Sequence, residues 1–320
     1  MTVTGFIGTV CMFPLRAIIG ASVALGIHPN VLTLIGVLIN VGAAWALGKQ
    51  HFLLAGVIMI VANIFDFIDG KVAHITNTVS RFGAFWDSTL DRFSDIALFL
   101  GLIYLYASLR RTDYVMVTAL AMMFSIMTSY ARARAESLID KCKVGFMERP
   151  ERIVLFMIGA FPSPIPPFDH RMAAVLWVIL ILSIVTVANR IHYTYLVLNN
   201  KPIPEGSNVM ARAFSRAFFW RDERASVPYD LWVILVLSIL AVANRIYYTY
   251  LALNGLPLPS REGPMGWFNR AFFWTDELAT IPYDLWVIAI LAFVWLTPPD
   301  WLGDPTASGP GLIGLLTSRL

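Results

Sequence analysis

Long apolar segments alternate with short polar segments along most of the chain. A helix that crosses a bilayer needs about 20 predominantly apolar residues, and eight segments approach that length. We expect membrane-spanning helices over residues 31–48, 52–73, 84–107, 113–133, 152–168, 172–198, 228–253 and 282–297. Of the 320 residues, 58% are hydrophobic and 14% are charged, which excludes an ordinary soluble domain. The pattern predicts an all-α, polytopic membrane protein.

The two ends of the chain depart from this regular succession of spans. Residues 1–26 are apolar and predict an N-terminal helix that lies in the membrane interface. Near the other end, residues 176–199 recur almost unchanged as residues 231–254, which indicates a duplication. We therefore expect three regions: an interfacial helix (1–26), a central transmembrane domain (27–200), and a duplicated C-terminal membrane segment with a tail (201–320).

Four aspartates interrupt the second and third apolar segments, in the order D-x2-D-G-x2-A-x9-G-x3-D-x3-D. Carboxylates at membrane depth are rare and normally bind something. Asp66 and Asp69 are three positions apart, and Asp87 and Asp91 are four apart, so each pair shares one face of a helix. Such pairs repel each other unless a cation lies between them. The motif predicts that Asp66, Asp69 and Asp87 bind Mg²⁺ or Mn²⁺, which prefer oxygen ligands.

The neighbouring residues extend this site toward phosphate chemistry. Bound divalent ions clamp phosphate oxygens and neutralise charge in the transition state. Asp91 lies one helical turn beyond Asp87, where it is suited to accept a proton from an attacking hydroxyl. Gly70, Ala73 and Gly83 are small at positions where a nucleotide or a second helix must approach closely. Together these residues predict phosphoryl transfer at a membrane surface from a lipid-linked donor.

Positive charge is concentrated in the loops on one side of the expected topology. Residues 132–152 and 190–224 each hold six Lys or Arg residues, and the alternate loops hold fewer. Cytoplasmic loops of membrane proteins carry this excess. The aspartate motif lies on the same side, so we expect the site to face the cytoplasm from the plasma membrane. The net charge is only +3, and we expect no nucleic-acid partner.

The segments DFIDGKVA and GAFWDSTLD resemble the signature of the CDP-alcohol phosphatidyltransferases. The resemblance covers about residues 10–198 and includes the four aspartates, both glycines and the alanine. It implies a core of six transmembrane helices, usually in a homodimer. The apolar segments 228–253 and 282–297, outside the resemblance, predict about two further helices after that core. The resemblance also implies transfer of a phosphatidyl group from CDP-diacylglycerol to an alcohol, with release of CMP. By position, Asp91 is then the general base and a further metal ligand. The implied CDP site comprises Asn30, Thr33, Asp66, Asp69, Gly70, Ala73 and Gly83.

Two more segments, YARARAE and GFMERPER, resemble the phosphatidylinositol phosphate synthase branch of that family. The resemblance implies that the acceptor's phosphate is bound by Arg132, Arg134, Arg152 and Arg190. The chain departs from the family at two positions. The family often has Arg where this chain has His74, a weaker phosphate donor, and Arg81 is a candidate to replace that charge. The branch typically has Lys at the position of Arg132, and the two side chains differ in geometry.

These observations predict a metal-dependent enzyme that transfers a phosphatidyl group from CDP-diacylglycerol to a phosphorylated polyol. We expect inositol phosphate as the acceptor. The alternative within this class is glycerol 3-phosphate, which would yield phosphatidylglycerol phosphate. The alternatives from another class are a cation transporter, which predicts acidic residues spread along a path through the bilayer, and a non-enzymatic membrane scaffold, which would use the extra C-terminal helices.

Overall fold

A computed structural model of the protein describes residues 18–163, 169–201 and 281–306. Every regular element in these ranges is helical, which confirms the expected all-α class. Residues 18–24 form a short helical segment. The following helices are α1 (Pro29–Gly48), α2 (Phe52–Ile75), α3 (Arg81–Ser108), α4 (Thr112–Glu136), α5 (Arg149–Ala160), α6 (Met172–Leu198), α7 (Ile281–Leu296) and α8 (Pro299–Leu302). The expected span over 228–253 and the second copy of the repeat lie outside the described residues.

Four of these helices, α1, α2, α4 and α6, are long and apolar enough to cross a membrane. Helix α3 has 28 residues, but three aspartates and an arginine interrupt its apolar sequence. The outward faces of the helices carry large apolar side chains that are more than half exposed, such as Leu38, Leu53 and Ile191. A continuous apolar exterior of this kind suits lipid rather than water. The protein is therefore an integral membrane protein.

Helix α5 is shorter than the apolar pattern predicts. It ends at Ala160 after 12 residues, so the prediction of one continuous helix over 152–168 is wrong; residues 164–168 lie outside the described residues. Phe161 is extended, with ψ 148°, because a residue before proline is disfavoured in the helical conformation and Pro162 follows. Twelve residues measure about 18 Å along a helix, well short of the roughly 30 Å of the hydrocarbon core. The end of α5 nevertheless lies at the opposite end of the bundle from Arg149, because the carbonyl oxygen of Gly159 accepts a hydrogen bond of 3.2 Å from the N–H of Arg171, just before α6 begins.

Local signals at the helix ends bring the acidic residues to one end of the bundle. Helix α2 is followed by a tight turn in which Asn77 has φ 54°, a left-handed conformation that asparagine tolerates better than most residues. Ser80 then begins α3 as its N-cap, and its Oγ accepts a hydrogen bond of 2.9 Å from the Gly83 N–H. The reversal places the end of α2 and the start of α3 on the same side of the membrane.

Helix α1 lies between α2 and α3 and packs against both. The backbones approach closely where small residues meet: a Cβ added to Gly101 on α3 would lie 2.2 Å from the carbonyl oxygen of Ala44 on α1. Such contacts are typical of membrane helices, because lipid supplies little hydrophobic driving force between them. Helix α6 packs against α4, α5, α7 and α8. This helix packing positions the acidic and the basic residues of the site described next.

Candidate active site

Three of the four motif aspartates converge where α2 ends and α3 begins. Carboxylate oxygens of Asp66, Asp69 and Asp87 all lie within 4.8 Å of one another. Asp69 is buried, and its Oδ2 accepts a hydrogen bond of 2.5 Å from Thr33 Oγ1 on α1. Three carboxylates this close repel one another, and an all-oxygen ligand set suits a hard divalent cation. The residues therefore fit a Mg²⁺ or Mn²⁺ ion.

Asp91 lies between this acidic cluster and the basic part of the site. It follows Asp87 by one helical turn, and its Oδ1 lies 3.0 Å from Arg149 Nη1. The same nitrogen lies 2.9 Å from Asp66 Oδ2. Asp91 is thus joined to the cluster through Arg149, and it is not one of the three converging carboxylates. Its use as a fourth metal ligand stays a prediction.

A cavity of about 270 Å³ opens beside Asp91, between α3, α4, α5 and α6. Five arginines line it: Arg92, Arg132, Arg149, Arg152 and Arg190. Guanidinium groups bind oxyanions through several parallel hydrogen bonds. The lining therefore favours an anion with several oxygens, such as a phosphate group.

Arg152 is held by a buried ion pair. Only 2% of its side chain is exposed, and its Nη2 lies 2.8 Å from Asp95 Oδ2. Its Nη1 donates to Thr128 Oγ1 at 3.1 Å. Two buried charges remain stable only when they are paired and hydrogen-bonded, and these contacts satisfy that condition. Arg152 is therefore fixed in the wall of the cavity.

Arg132 and Arg190 meet at one carboxylate oxygen. Arg132 Nη1 and Arg190 Nη2 each lie 2.9 Å from Glu148 Oε1. Arg190 is buried and also donates to the carbonyl oxygens of Thr128 and Val144, at 2.6 and 2.9 Å. Three of the four arginines expected to bind the acceptor's phosphate, Arg132, Arg152 and Arg190, therefore line the same cavity.

The other predicted basic residues lie elsewhere. Arg134 is exposed and does not line the cavity, and its Nη1 donates to Ser137 Oγ at 3.2 Å. His74 and Arg81, at the neighbouring ends of α2 and α3, are exposed. Neither forms an ion pair with any residue that the structure describes. The structure thus does not bring Arg134 to the cavity, and the replacement of a phosphate contact at His74 by Arg81 is untested.

The small residues expected to contact CDP lie around the acidic cluster. A Cβ added to Gly83 would lie 3.2 Å from Ser80 Oγ and 3.5 Å from Asn30 Oδ1, so Gly83 faces the start of α1. A Cβ added to Gly70 would meet no atom of the described chain within 4 Å. Ala73, nearly one turn further along α2, is half-buried. Gly70 therefore leaves open space beside the acidic cluster, and contact with CDP is a prediction for all of these residues.

Arg149 lies at the centre of the site but was not among the residues predicted from the sequence, nor were Arg92, Asp95 and Glu148. Arg149 contacts Asp66 and Asp91, and its Nε lies 3.7 Å from Asp95 Oδ1. In sequence it belongs to a Lys/Arg-rich loop, where positive charge is expected for reasons of topology alone. The feature that could have identified Arg149 is its position in the first turn of α5, directly after the N-cap residue Glu148. That helix start directs successive side chains into the bundle.

Comparisons with known proteins identify the family of the chain. Residues 26–198 match the family model described as CDP-alcohol phosphatidyltransferase. Archaetidylinositol phosphate synthase of Pyrococcus horikoshii is 36% identical over 179 residues, which cover 56% of this chain and 93% of that protein. Phosphatidylinositol phosphate synthase of Mycobacterium tuberculosis is 34% identical over 171 residues, which cover 52% of this chain and 79% of that protein.

Two solved structures of the M. tuberculosis phosphatidylinositol phosphate synthase are similar to the present fold. The structure with CDP-DAG bound has a TM-score of 0.53 and 29% identity, and the match covers 57% of this chain and 93% of that chain. The structure in complex with manganese and citrate has a TM-score of 0.52 and 28% identity, with 62% and 97% covered. The family model spans more than half of this chain and includes all four motif aspartates. The chain therefore belongs to the CDP-alcohol phosphatidyltransferase family.

Proposed function

We propose that this membrane enzyme transfers the phosphatidyl group of CDP-diacylglycerol to inositol phosphate and releases CMP. One observation carries the proposal: Asp91 borders both a three-carboxylate cluster and an arginine-lined cavity. The reaction brings together two phosphorylated substrates, and the site has one region suited to each. Relatives named for the synthesis of inositol phosphate lipids support this choice of acceptor.

The acidic cluster is the proposed donor side. Asp66, Asp69 and Asp87 would hold Mg²⁺ or Mn²⁺, and the hydrogen bond from Thr33 orients Asp69 for that task. Such an ion, when bound, neutralises charge on the diphosphate of the donor and in the transition state. The manganese complex of the M. tuberculosis enzyme supports this assignment. Asn30, Gly70, Ala73 and Gly83 surround the cluster and are the proposed contacts of the CDP group.

Asp91 is the proposed general base. It accepts the proton of the acceptor hydroxyl while the hydroxyl oxygen bonds to the phosphorus that carries the diacylglycerol. The bond from that phosphorus to the CMP oxygen breaks, and CMP leaves with the electron pair. Arg149, 3.0 Å from Asp91, orients the carboxylate toward the cavity. The base is thereby placed at the boundary between donor and acceptor.

The cavity is the proposed acceptor side. Arg152 and Arg190 are each only 2% exposed, and Arg132 completes the group at the cavity edge. The oxygens of a phosphate can accept charge-assisted hydrogen bonds from several guanidinium groups at once, whereas the hydroxyls of a neutral polyol form only weaker, uncharged ones. The arrangement thus supports a phosphorylated acceptor over a free alcohol. Arg134 remains a prediction from the family resemblance alone.

We further propose that the site faces the cytoplasm from the plasma membrane and that the enzyme is a homodimer. The excess of Lys and Arg in the loops beside the site supports the orientation, and the family resemblance supports the dimer. All proposed site residues fall within residues 27–200. The segment 201–320 is proposed to support the fold, because α7 and α8 pack against α6.

The testing experiment measures CMP release from CDP-diacylglycerol by purified protein with Mg²⁺ or Mn²⁺. Inositol phosphate, glycerol 3-phosphate and inositol are compared as acceptors. Asp91→Asn should abolish turnover, because the variant cannot accept the proton. Asp113→Asn is the matched control: Asp113 is 58% exposed and lies in the first turn of α4, whose other end lies at the site. Turnover with glycerol 3-phosphate alone would contradict inositol phosphate as the acceptor. Full activity of Asp91→Asn would contradict Asp91 as the general base.

A further inference from the structure

Glu148 places a carboxylate where the proposed function places an anionic ligand. Its Oε1 lies 2.9 Å from both Arg132 Nη1 and Arg190 Nη2. Its side chain is 33% exposed, whereas that of Arg190 is 2% exposed. The oxygen therefore reaches from the accessible side of the cavity to a guanidinium group in its wall.

Among the described residues, Glu148 is the carboxylate that bridges two of the proposed acceptor arginines. Arg152 is paired with Asp95 instead. Glu136 also reaches Arg132, at 3.0 Å, but it contacts no other arginine at the site. The N–H groups that hold Glu148 are donors that a bound phosphate would need. A ligand that engages both arginines must therefore take them from Glu148.

The Glu148 carboxylate and the acceptor's phosphate differ in how strongly they bind guanidinium groups. A carboxylate carries one negative charge, whereas a phosphate monoester carries about 1.5 to 2 negative charges at neutral pH and has three strong acceptor oxygens. Paired guanidinium groups therefore prefer the phosphate. A weaker anion or a neutral polyol gains too little from the arginines to displace Glu148.

The N-terminus of α5 can stabilise the Glu148 carboxylate after it is displaced from the arginines. Glu148 is the N-cap of α5, and a capping box with Glu151 holds its backbone, with the Glu148 N–H 3.0 Å from Glu151 Oε2. Negative charge is stabilised at the N-terminus of a helix. The carboxylate can leave the arginines while the helix start stays in place.

We propose that Glu148 is a specificity-determining residue that competes with the acceptor's phosphate for Arg132 and Arg190. The competition excludes weakly charged acceptors and makes the arginines available only to a phosphorylated one. This inference rests on the proposed function, because it takes the arginine-lined cavity as the site of the acceptor's phosphate.

The test measures binding of inorganic phosphate to full-length protein by titration calorimetry, in a maltoside detergent that carries no phosphate. Glu148→Gln removes the charge but keeps an oxygen that can accept the helix-capping hydrogen bond. It should bind phosphate about fivefold more tightly than the wild type, the effect of losing one partly exposed ion-pair competitor. Asp113→Asn, the control at an exposed ion pair away from the cavity, should change binding less than about twofold. Thermal unfolding midpoints confirm that each variant is folded.

A double variant, Glu148→Gln with Arg132→Gln, locates the effect and should lose the gain. Unchanged or weaker phosphate binding in Glu148→Gln, beside a wild type that does bind, would overturn the competition and leave the proposed function standing. A gain that persists in the double variant would also overturn it, because the phosphate would then lie elsewhere. Absence of phosphate binding in both the wild type and Glu148→Gln would remove the cavity as the phosphate site, and both proposals would fall.

Discussion

The crossing of α1 and α3 leads to a sharp prediction about packing. A Cβ added to Gly101 would lie 2.2 Å from the carbonyl oxygen of Ala44 and 2.8 Å from its carbonyl carbon. Ordinary contacts of a Cβ begin at 3.4 Å, so the two backbones would have to separate by about 1.2 Å, the difference from 2.2 Å. Both partners belong to helix backbones, so no side chain can rotate to relieve the overlap.

The size of the effect follows from two opposing terms. Overpacking of this kind costs about 1–3 kcal/mol, whereas Ala is favoured over Gly within a helix by about 1 kcal/mol. Because the overlap is with backbone atoms, we expect a cost near the upper end of that range, so that Gly101→Ala destabilises the protein by up to about 2 kcal/mol. Gly42→Ala on α1 is the matched control, because a Cβ there would meet nothing within 4 Å. That variant keeps the helix-propensity gain without the overlap.

The assay is thermal unfolding of both variants in detergent at one scan rate, followed by intrinsic tryptophan fluorescence. The unfolding midpoint of Gly101→Ala should fall below that of the wild type, and the midpoint of Gly42→Ala should equal or exceed it. Equal midpoints for the two variants would refute the close crossing, since the helix-propensity term is the same in both.

Three further predictions concern the site and its surroundings. Asp66→Asn should weaken Mn²⁺ binding, measured by electron paramagnetic resonance, by about tenfold or more, because it removes one of three anionic ligands. Arg152→Met should destabilise the protein by about 3 kcal/mol in chemical denaturation, because Asp95 then keeps a buried charge with only the longer 3.7 Å contact to Arg149. An added Asp95→Leu change should recover part of the loss. Burial raises the pKa of the Cys142 thiol, so in a Cys11→Ser background maleimide should label the folded protein at pH 7.5 much more slowly than the denatured protein, and faster as the pH rises.

The sequence predicted the elements whose signal is local. The spans that became α1, α2, α3, α4 and α6 were expected within a few residues, because long apolar runs and polar turns determine them directly. The motif aspartates were identified because carboxylates are costly inside a membrane. The helix expected after Arg152 was too long, because the apolar sequence continues past Pro162 whereas the helix ends just before it. Prolines end helices for steric reasons that apolar composition does not reveal.

The contacts of the arginines could not be predicted in the same way. Nothing local distinguishes Arg152 or Arg190 from Arg134, since all three lie near loops rich in positive charge. Their difference arises from tertiary packing: Thr128 on α4 receives a hydrogen bond from Arg152 through its hydroxyl and another from Arg190 through its carbonyl oxygen. Such partners come from separate helices and are known only once the bundle is assembled.

The short helix α5 explains how acidic and basic side chains can share one membrane site. Its first turn and its N-cap residue supply Glu148 to the arginines, Arg149 to Asp66 and Asp91, and Arg152 to Asp95. Each of these charges thereby has a partner of opposite sign, which is the condition under which buried charges are tolerated. The capped start of α5 therefore joins the proposed donor and acceptor regions.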